Sequence, residues 1–170
     1  MAAGAYADES IYQIGDRWTD QDGNAWELGE FKGETVVLAM FFTSCQYVCP
    51  RIVADMQQIE SLLDDEARPD VRFILVSFDS QRDLPPVLKR YQKDRKLAPD
   101  RWTLLHGDEN AVQNLAAALG VKYKRDVSGD YGHSTVISVL DRAGEIVHQQ
   151  EGLGADPSDT VQALKKTLSD

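Results

Sequence analysis

Two uninterrupted apolar runs of strand length stand out along the chain. They read "TVVLAMFF" at residues 35–42 and "VRFILVSF" at 71–78, and both are rich in β-branched and aromatic residues. A run without polar alternation is typical of a strand that is buried on both faces of a parallel sheet. A third, shorter candidate is "WTLLHG" at 102–107. These runs predict the central strands of one sheet.

A helical pattern follows each of these strands. The first helix is expected from about Pro50, because proline suits the first helical turn. Its apolar residues are spaced by three or four positions and therefore lie on one face: Ile52, Met56, Ile59 and Leu63. The segments 83–94 and 108–120 predict two further helices, the latter capped by Asp108 and ended by Gly120.

Alternating segments near both ends of the chain predict antiparallel strands. Residues 17–28 form a candidate hairpin around an Asp-Gly turn, and 134–141 with 145–152 form a second one. Residues 156–168 predict a closing helix. The order predicts an α/β protein of the thioredoxin-like type, with a mixed central sheet, helices on both faces and an N-terminal hairpin.

Length and composition restrict the possible functions. The 170 residues suffice for one domain, which we expect at 11–170, with 1–10 as a flexible terminus or a remnant of the expressed sequence. No apolar stretch reaches 18 residues, so no membrane-spanning helix is expected. The net charge of −10 argues against nucleic-acid binding, because phosphate backbones repel an acidic chain. We expect a monomer.

Both cysteines of the chain, Cys45 and Cys49, lie within ten residues, "FFTSCQYVCP" at 41–50. They follow the first core strand, and ligands of such sheets bind beyond the carboxyl ends of the strands. A spacing of four on a helical turn puts the Cα atoms roughly 6 Å apart, within disulfide range. A helix N-terminus nearby is expected to stabilise a thiolate. A purely structural bridge is the alternative, although so small a loop stabilises little.

The chain has only three histidines, and one of them is a candidate metal ligand. In a thioredoxin-like domain, the loop that carries His133 lies against the cysteine loop, and the cis-proline usual there is missing. His106 and His148 are expected to be structural, the first in a loop and the second half-exposed on a strand. Two thiolates and an imidazole suit Cu(I) and tolerate Cu(II) with an added weak ligand. Zinc is a weaker fit because structural zinc takes four ligands.

Four segments resemble the SCO/SenC family in order and spacing, over residues 15–168: "TSCQYVCP", "LVSFDSQRDLPPVLKRY", "WTLLHGDENAVQNLAAALGV" and "DYGHSTVISVLDRAGEIV". The resemblance implies a thioredoxin-like fold and a copper ion, Cu(I) or Cu(II), bound by Cys45, Cys49 and His133. It also implies a part in assembling the dinuclear copper centre of cytochrome c oxidase. Family members are usually membrane-anchored and face the bacterial periplasm, which we favour, or the mitochondrial intermembrane space.

Three further positions are interpreted through the same resemblance. Asp79 matches an aspartate of the family in the loop after the second core strand, where it either tunes or docks the site or is a turn residue. Gly132 stands where many members have an aspartate before the histidine, and Ser44 departs from the usual residue before the first cysteine. Neither departure removes a ligand, but a missing acid alters the orientation of the imidazole and the copper affinity.

Three functions compete for the cysteine pair. A copper metallochaperone is favoured, with the copper-acceptor subunit of cytochrome c oxidase as partner and another copper chaperone or a thioredoxin-like reductant as further partners. The alternative is a thiol–disulfide oxidoreductase in which Cys45 and Cys49 are the redox-active catalytic pair and reduce the cysteines of a copper acceptor. A peroxiredoxin is excluded, because Leu38 and Phe42 stand where its PxxxTxxC motif needs proline and threonine.

Overall fold

The structure, a computed structural model, describes residues 10–45, 48–127 and 131–169. The strands are β1 (Arg17–Asp20), β2 (Ala25–Glu27), β3 (Thr35–Phe41), β4 (Val71–Ser77), β5 (Trp102–His106), β6 (Tyr123–Arg125), β7 (Tyr131–His133), β8 (Val136–Leu140) and β9 (Ile146–Glu151). The α-helices are α1 (Val48–Ser61), α2 (Pro85–Asp94), α3 (Glu109–Leu119) and α4 (Ser158–Ser169).

Seven strands form one mixed sheet in the order β2-β1-β5-β4-β3-β8-β9. The strands β3, β4 and β5 are parallel, and β8 pairs antiparallel with β3. All seven residues of β3 are buried, which confirms the prediction from its uninterrupted apolar run. The N-terminal hairpin of β1 and β2 joins the sheet beside β5. The thioredoxin-like α/β class predicted from the element order is therefore correct.

Helices cover both faces of this sheet. The side chain of Gln149 on β9 donates to the carbonyl of Leu119 at the end of α3, at 2.8 Å. The preceding residue, His148, instead contacts the hydroxyl of Thr160 on α4, at 3.0 Å. Successive strand residues point to opposite faces, so α3 and α4 lie on opposite sides. The amide of Gln57 on α1 donates to the carbonyl of Arg95 after α2, which places these two helices side by side.

The ends of the helices agree with their predicted signals to within two residues. The carboxylate of Asp108 accepts the N–H of Ala111 at 2.8 Å, and Gly120 ends α3 in the left-handed region at φ +69°. The first helix, α1, begins at Val48, two residues before the predicted start at Pro50. Cys49 therefore belongs to the first helical turn.

A small second sheet, formed by β6 and β7, was not predicted. Tyr123 pairs with His133 in its register, and Arg125 pairs with Tyr131. The two strands have only three residues each, and β6 carries two exposed charged side chains, so they show no apolar periodicity. The backbone of Ser134 continues the pairing by donating to the carbonyl of Lys122 at 2.8 Å. This hairpin is the element that positions His133.

Ser10, the first described residue, is packed against the rest of the structure. Ser10 is only 4% exposed, and its hydroxyl donates to the carbonyl of Ala143 at 2.5 Å. The expectation of a flexible terminus otherwise concerns residues 1–9, which lie outside the described residues. One cluster of buried apolar side chains extends from Ile11 to Leu164. None of the helices in the described ranges is long and apolar enough to cross a membrane.

Candidate metal centre

The two cysteines lie where β3 passes into α1. Cys45 is half-buried in a turn closed by its N–H on the carbonyl of Phe42, at 3.2 Å. Cys49 is fully buried, and its N–H donates to the sulfur of Cys45 at 3.3 Å. The first N–H groups of a helix have no partner within the helix, so this sulfur caps α1. The two cysteines are not joined by a disulfide.

The hairpin of β6 and β7 brings His133 to the same place. Its Nε2 lies 3.6 Å from the sulfur of Cys49, and its Nδ1 lies 3.0 Å from the carbonyl of Ser134. A carbonyl only accepts hydrogen bonds, so Nδ1 carries the proton and donates. This assignment leaves the Nε2 lone pair directed at the cysteine, where it can accept the thiol proton or bind a metal ion.

Burial controls the protonation of both groups. It raises the pKa of the Cys49 thiol, and a backbone hydrogen bond from Phe42 lowers that pKa without offsetting the burial. At Cys49, burial therefore outweighs the stabilisation of a thiolate that is expected from the helix N-terminus. Burial also lowers the pKa of His133, against the effect of the Ser134 carbonyl. The resting contact thus joins a neutral thiol to a neutral imidazole, and a metal ion has to displace the thiol proton.

The three candidate ligands do not form a ready-made metal site. Within residues 10–45, 48–127 and 131–169, no three histidine, cysteine or acidic side chains are grouped closely enough to hold a metal ion. The sulfur of Cys45 accepts the N–H of Cys49. Three-coordinate binding therefore requires the three side chains to move closer together.

Aromatic rings surround the imidazole. The ring of Phe78 lies 4.8 Å from that of His133 between centroids, and the ring of Phe42 lies 6.1 Å away. Tyr131 contacts both phenylalanines, and Tyr123 packs against Phe78 in a tilted arrangement. These rings exclude water from one side of the imidazole, which explains the burial that lowers its pKa.

Asp79 is held as a turn residue. It is 1% exposed, one carboxylate oxygen accepts the N–H of Arg82 at 3.0 Å, and the other pairs with the Arg82 guanidinium. The N–H of Asp79 donates to the hydroxyl of Ser77. A carboxylate buried in this way does not contact a partner directly, and the side chain of Arg82, 40% exposed, is the group at the surface. Any docking role of Asp79 would act through Arg82.

Asp83 is a contributor to the site that sequence reasoning missed. It is completely buried, and its carboxylate accepts the N–H of Thr43 at 2.9 Å and its hydroxyl at 2.5 Å. It also accepts the hydroxyl of Ser77 at 2.6 Å. Because Thr43 lies two residues before Cys45, Asp83 ties the cysteine turn to the end of β4. The sequence offers no local signal for this role, since Thr43 is 40 residues away.

Replacing Asp83 with asparagine is expected to lower the free energy of unfolding by about 2 kcal/mol, because an amide cannot accept all three hydrogen bonds. Urea denaturation followed by circular dichroism measures the change. Asp100→Asn is the matched control, since the side chain of Asp100 is 78% exposed. Equal midpoints for the two variants would show that Asp83 does not anchor the cysteine turn.

The other two histidines have separate partners. Nε2 of His106 lies 2.8 Å from the carbonyl of Ser80, and His148 contacts Thr160 from β9. Gly132 is exposed, and a Cβ built there would meet only the carbonyl of Lys124, at 3.9 Å. The backbone therefore leaves room for the aspartate that many SCO/SenC proteins have at this position.

Comparisons with known proteins agree with this architecture. The SCO1/SenC family model matches residues 11–169. The SCO1 protein homolog of Bacillus subtilis is 27% identical over 156 residues, covering 88% of this chain and 79% of the relative. The chain belongs to the SCO1/SenC family.

Two solved structures give the same fold. Bradyrhizobium japonicum ScoI with copper bound superposes with a TM-score of 0.71 at 25% identity, covering 89% of this chain and 96% of that one. BsSco, a Sco protein in which a disulfide switch was identified, superposes with a TM-score of 0.78 at 24% identity, covering 90% and 91%. The family includes bacterial lipoproteins and mitochondrial proteins.

Proposed function

We propose that this chain is a copper metallochaperone that binds one copper ion through Cys45, Cys49 and His133 and assists assembly of the dinuclear copper centre of cytochrome c oxidase. The observation that carries the proposal is the 3.6 Å contact between the sulfur of Cys49 and Nε2 of His133. These residues are 84 positions apart, and the fold brings together a soft sulfur and an imidazole nitrogen with its lone pair available.

The ligand chemistry fits copper as a cargo. Thiolate sulfurs select Cu(I), and an imidazole extends the set to Cu(II). Cys45, half-buried on a turn, is the ligand that moves, whereas Cys49 and His133 are held by α1 and β7. A site with one mobile ligand suits a protein that has to release its metal ion to an acceptor.

The acceptor in this proposal is the copper-binding subunit of cytochrome c oxidase. The copper donor is another copper chaperone, and a thioredoxin-like reductant keeps the cysteines reduced. The protein acts as a monomer that is attached to the membrane on its periplasmic side. The lipoproteins and the copper-bound ScoI among its relatives support this setting.

A thiol–disulfide oxidoreductase is the second candidate, favoured by the unequal exposure of the two thiols. Cys45 is accessible and Cys49 is buried, which is the arrangement of an attacking and a resolving cysteine. The Cys45 thiolate would attack an acceptor disulfide and form a mixed disulfide. The Cys49 thiolate would then displace the acceptor, leaving this chain oxidised and the acceptor dithiol reduced.

Fully reduced protein is expected to bind one copper ion per chain, and protein with a Cys45–Cys49 disulfide is expected to bind almost none, since metal binding needs both thiolates. Anaerobic copper titration followed by native mass spectrometry and X-ray absorption measures stoichiometry and ligands. Reduced protein that takes up no copper at micromolar concentration would reject the metallochaperone and leave the oxidoreductase.

A further inference from the structure

Tyr91 carries a buried polar group that the proposed function does not use. Its residue surface is 9% exposed, and its hydroxyl oxygen is buried without a hydrogen-bond partner among the described residues. The ring packs against Phe41 at 5.2 Å between centroids, and the Arg95 guanidinium lies 5.2 Å from the ring centroid. Buried hydroxyls without partners are rare and costly in native proteins, so this one calls for a physical explanation.

The ring of Tyr91 packs against the end of the strand that leads into the cysteine turn. Phe41, which it contacts, is the last residue of β3 and precedes Cys45 by four positions. The start of α2 is joined to the same turn by the hydrogen bonds between Asp83 and Thr43. Tyr91 lies on the buried face of α2, two helical turns further on.

Electrostatics agree with this placement. Burial raises the pKa of Tyr91 to about 12, and the Arg95 guanidinium opposes the shift. Ionised Cys49 and Cys45 raise the pKa further, Cys49 more strongly. Because the phenol stays protonated at neutral pH, its O–H remains available as a donor.

We propose that the Tyr91 hydroxyl is a hydrogen-bond donor for the Cys49 sulfur whenever that sulfur is a thiolate, whether bound to copper or released from a disulfide. This inference rests in part on the proposed function and names a positioning residue within it. In the resting state the Cys49 thiol is engaged with His133, and it lacks the charge that would draw the phenol. The Cys45 sulfur already accepts an N–H from α1. The Cys49 sulfur is therefore the proposed acceptor for the Tyr91 hydroxyl.

Tyr91→Phe removes the hydroxyl and keeps the ring against Phe41. A hydrogen bond withdraws electron density from a copper-bound sulfur, so its loss is expected to shift the thiolate-to-Cu(II) charge-transfer band to lower energy. Cu(II) affinity is expected to fall about tenfold, the smaller effect found for residues that only orient ligands. The free energy of unfolding of the metal-free protein should be unchanged or higher, since an unsatisfied polar group has been removed.

A second measurement needs no copper. When dithiothreitol reduces the Cys45–Cys49 disulfide, its thiolate attacks the Cys45 sulfur, the S–S bond breaks and Cys49 leaves as a thiolate. A hydrogen bond from Tyr91 stabilises the leaving Cys49 thiolate and so speeds this step. Tyr91→Phe is therefore expected to slow the reduction several-fold at fixed pH. Tyr12→Phe is the matched control, because Tyr12 is also buried but packs at the turn around Gly144. It should retain wild-type spectrum, affinity and reduction rate.

The outcomes separate this inference from the proposed function. Wild-type protein that binds no copper rejects the metallochaperone alone, because the reduction rate still tests Tyr91. Copper-loaded Tyr91→Phe with the wild-type band and affinity, together with a wild-type reduction rate, overturns the inference. In that case a buried water satisfies the phenol, and the variant should also be less stable without metal.

Discussion

Replacing either Cys45 or Cys49 with alanine is expected to abolish tight copper binding. One thiolate and one imidazole make a poor site for Cu(I), and even the loss of a residue that only orients a ligand costs about 10–100-fold in affinity. A loss well beyond a hundredfold is therefore expected for each cysteine variant. Competition with a Cu(I) chelator under anaerobic conditions measures it.

The remaining histidines provide the control for this experiment. His106→Ala and His148→Ala should bind copper as the wild type does, because their rings contact Ser80 and Thr160, away from the cysteine pair. A loss in His106→Ala as large as that in the cysteine variants would show that the ligand assignment is wrong.

Removal of the His133 imidazole is expected to weaken Cu(II) binding much more than Cu(I) binding. Cu(II) depends on a nitrogen donor, whereas two thiolates alone hold Cu(I) in near-linear geometry. His133→Ala should lose most Cu(II) affinity, and the nitrogen signature in the spectrum of bound Cu(II) should disappear. Chelator competition for each oxidation state measures the difference.

The packing of His133 calls for a second variant. Its ring lies 4.8 Å from that of Phe78, so alanine also removes an aromatic contact. His133→Phe keeps a ring in place and removes both nitrogens, and circular dichroism reports whether each variant is folded. Small and equal losses for Cu(I) and Cu(II) in a folded variant would place His133 outside the ligand set. The oxidoreductase would then become the favoured function.

Local signals accounted for most of the fold. The runs at β3 and β4 are apolar without interruption because both faces of these strands are covered, and Asp108 and Gly120 mark the ends of α3 through their own backbone contacts. The hairpin of β6 and β7 was missed because its strands are held by pairing with each other and not by an apolar pattern.

The site was less accessible to sequence reasoning. The cysteine spacing and the scarcity of histidine pointed to Cys45, Cys49 and His133. The sequence did not show that burial raises the pKa of the Cys49 thiol and outweighs the expected effect of the helix N-terminus. Asp83 contacts the cysteine turn from 40 residues away along the chain, and Tyr91 packs against the end of β3 from α2. No pattern of neighbouring residues records such contacts, because they arise only when the sheet is assembled.

The separation of 84 residues between Cys49 and His133 has a thermodynamic consequence. The two thiols are four positions apart and stay close in an unfolded chain, which can therefore hold Cu(I) without any fold. The imidazole joins them only after β7 has docked against α1. A ligand that binds only the native state raises the melting temperature by mass action, and one that also binds the unfolded chain does so less. We therefore expect Cu(II) to raise the melting temperature of this protein more than Cu(I) does.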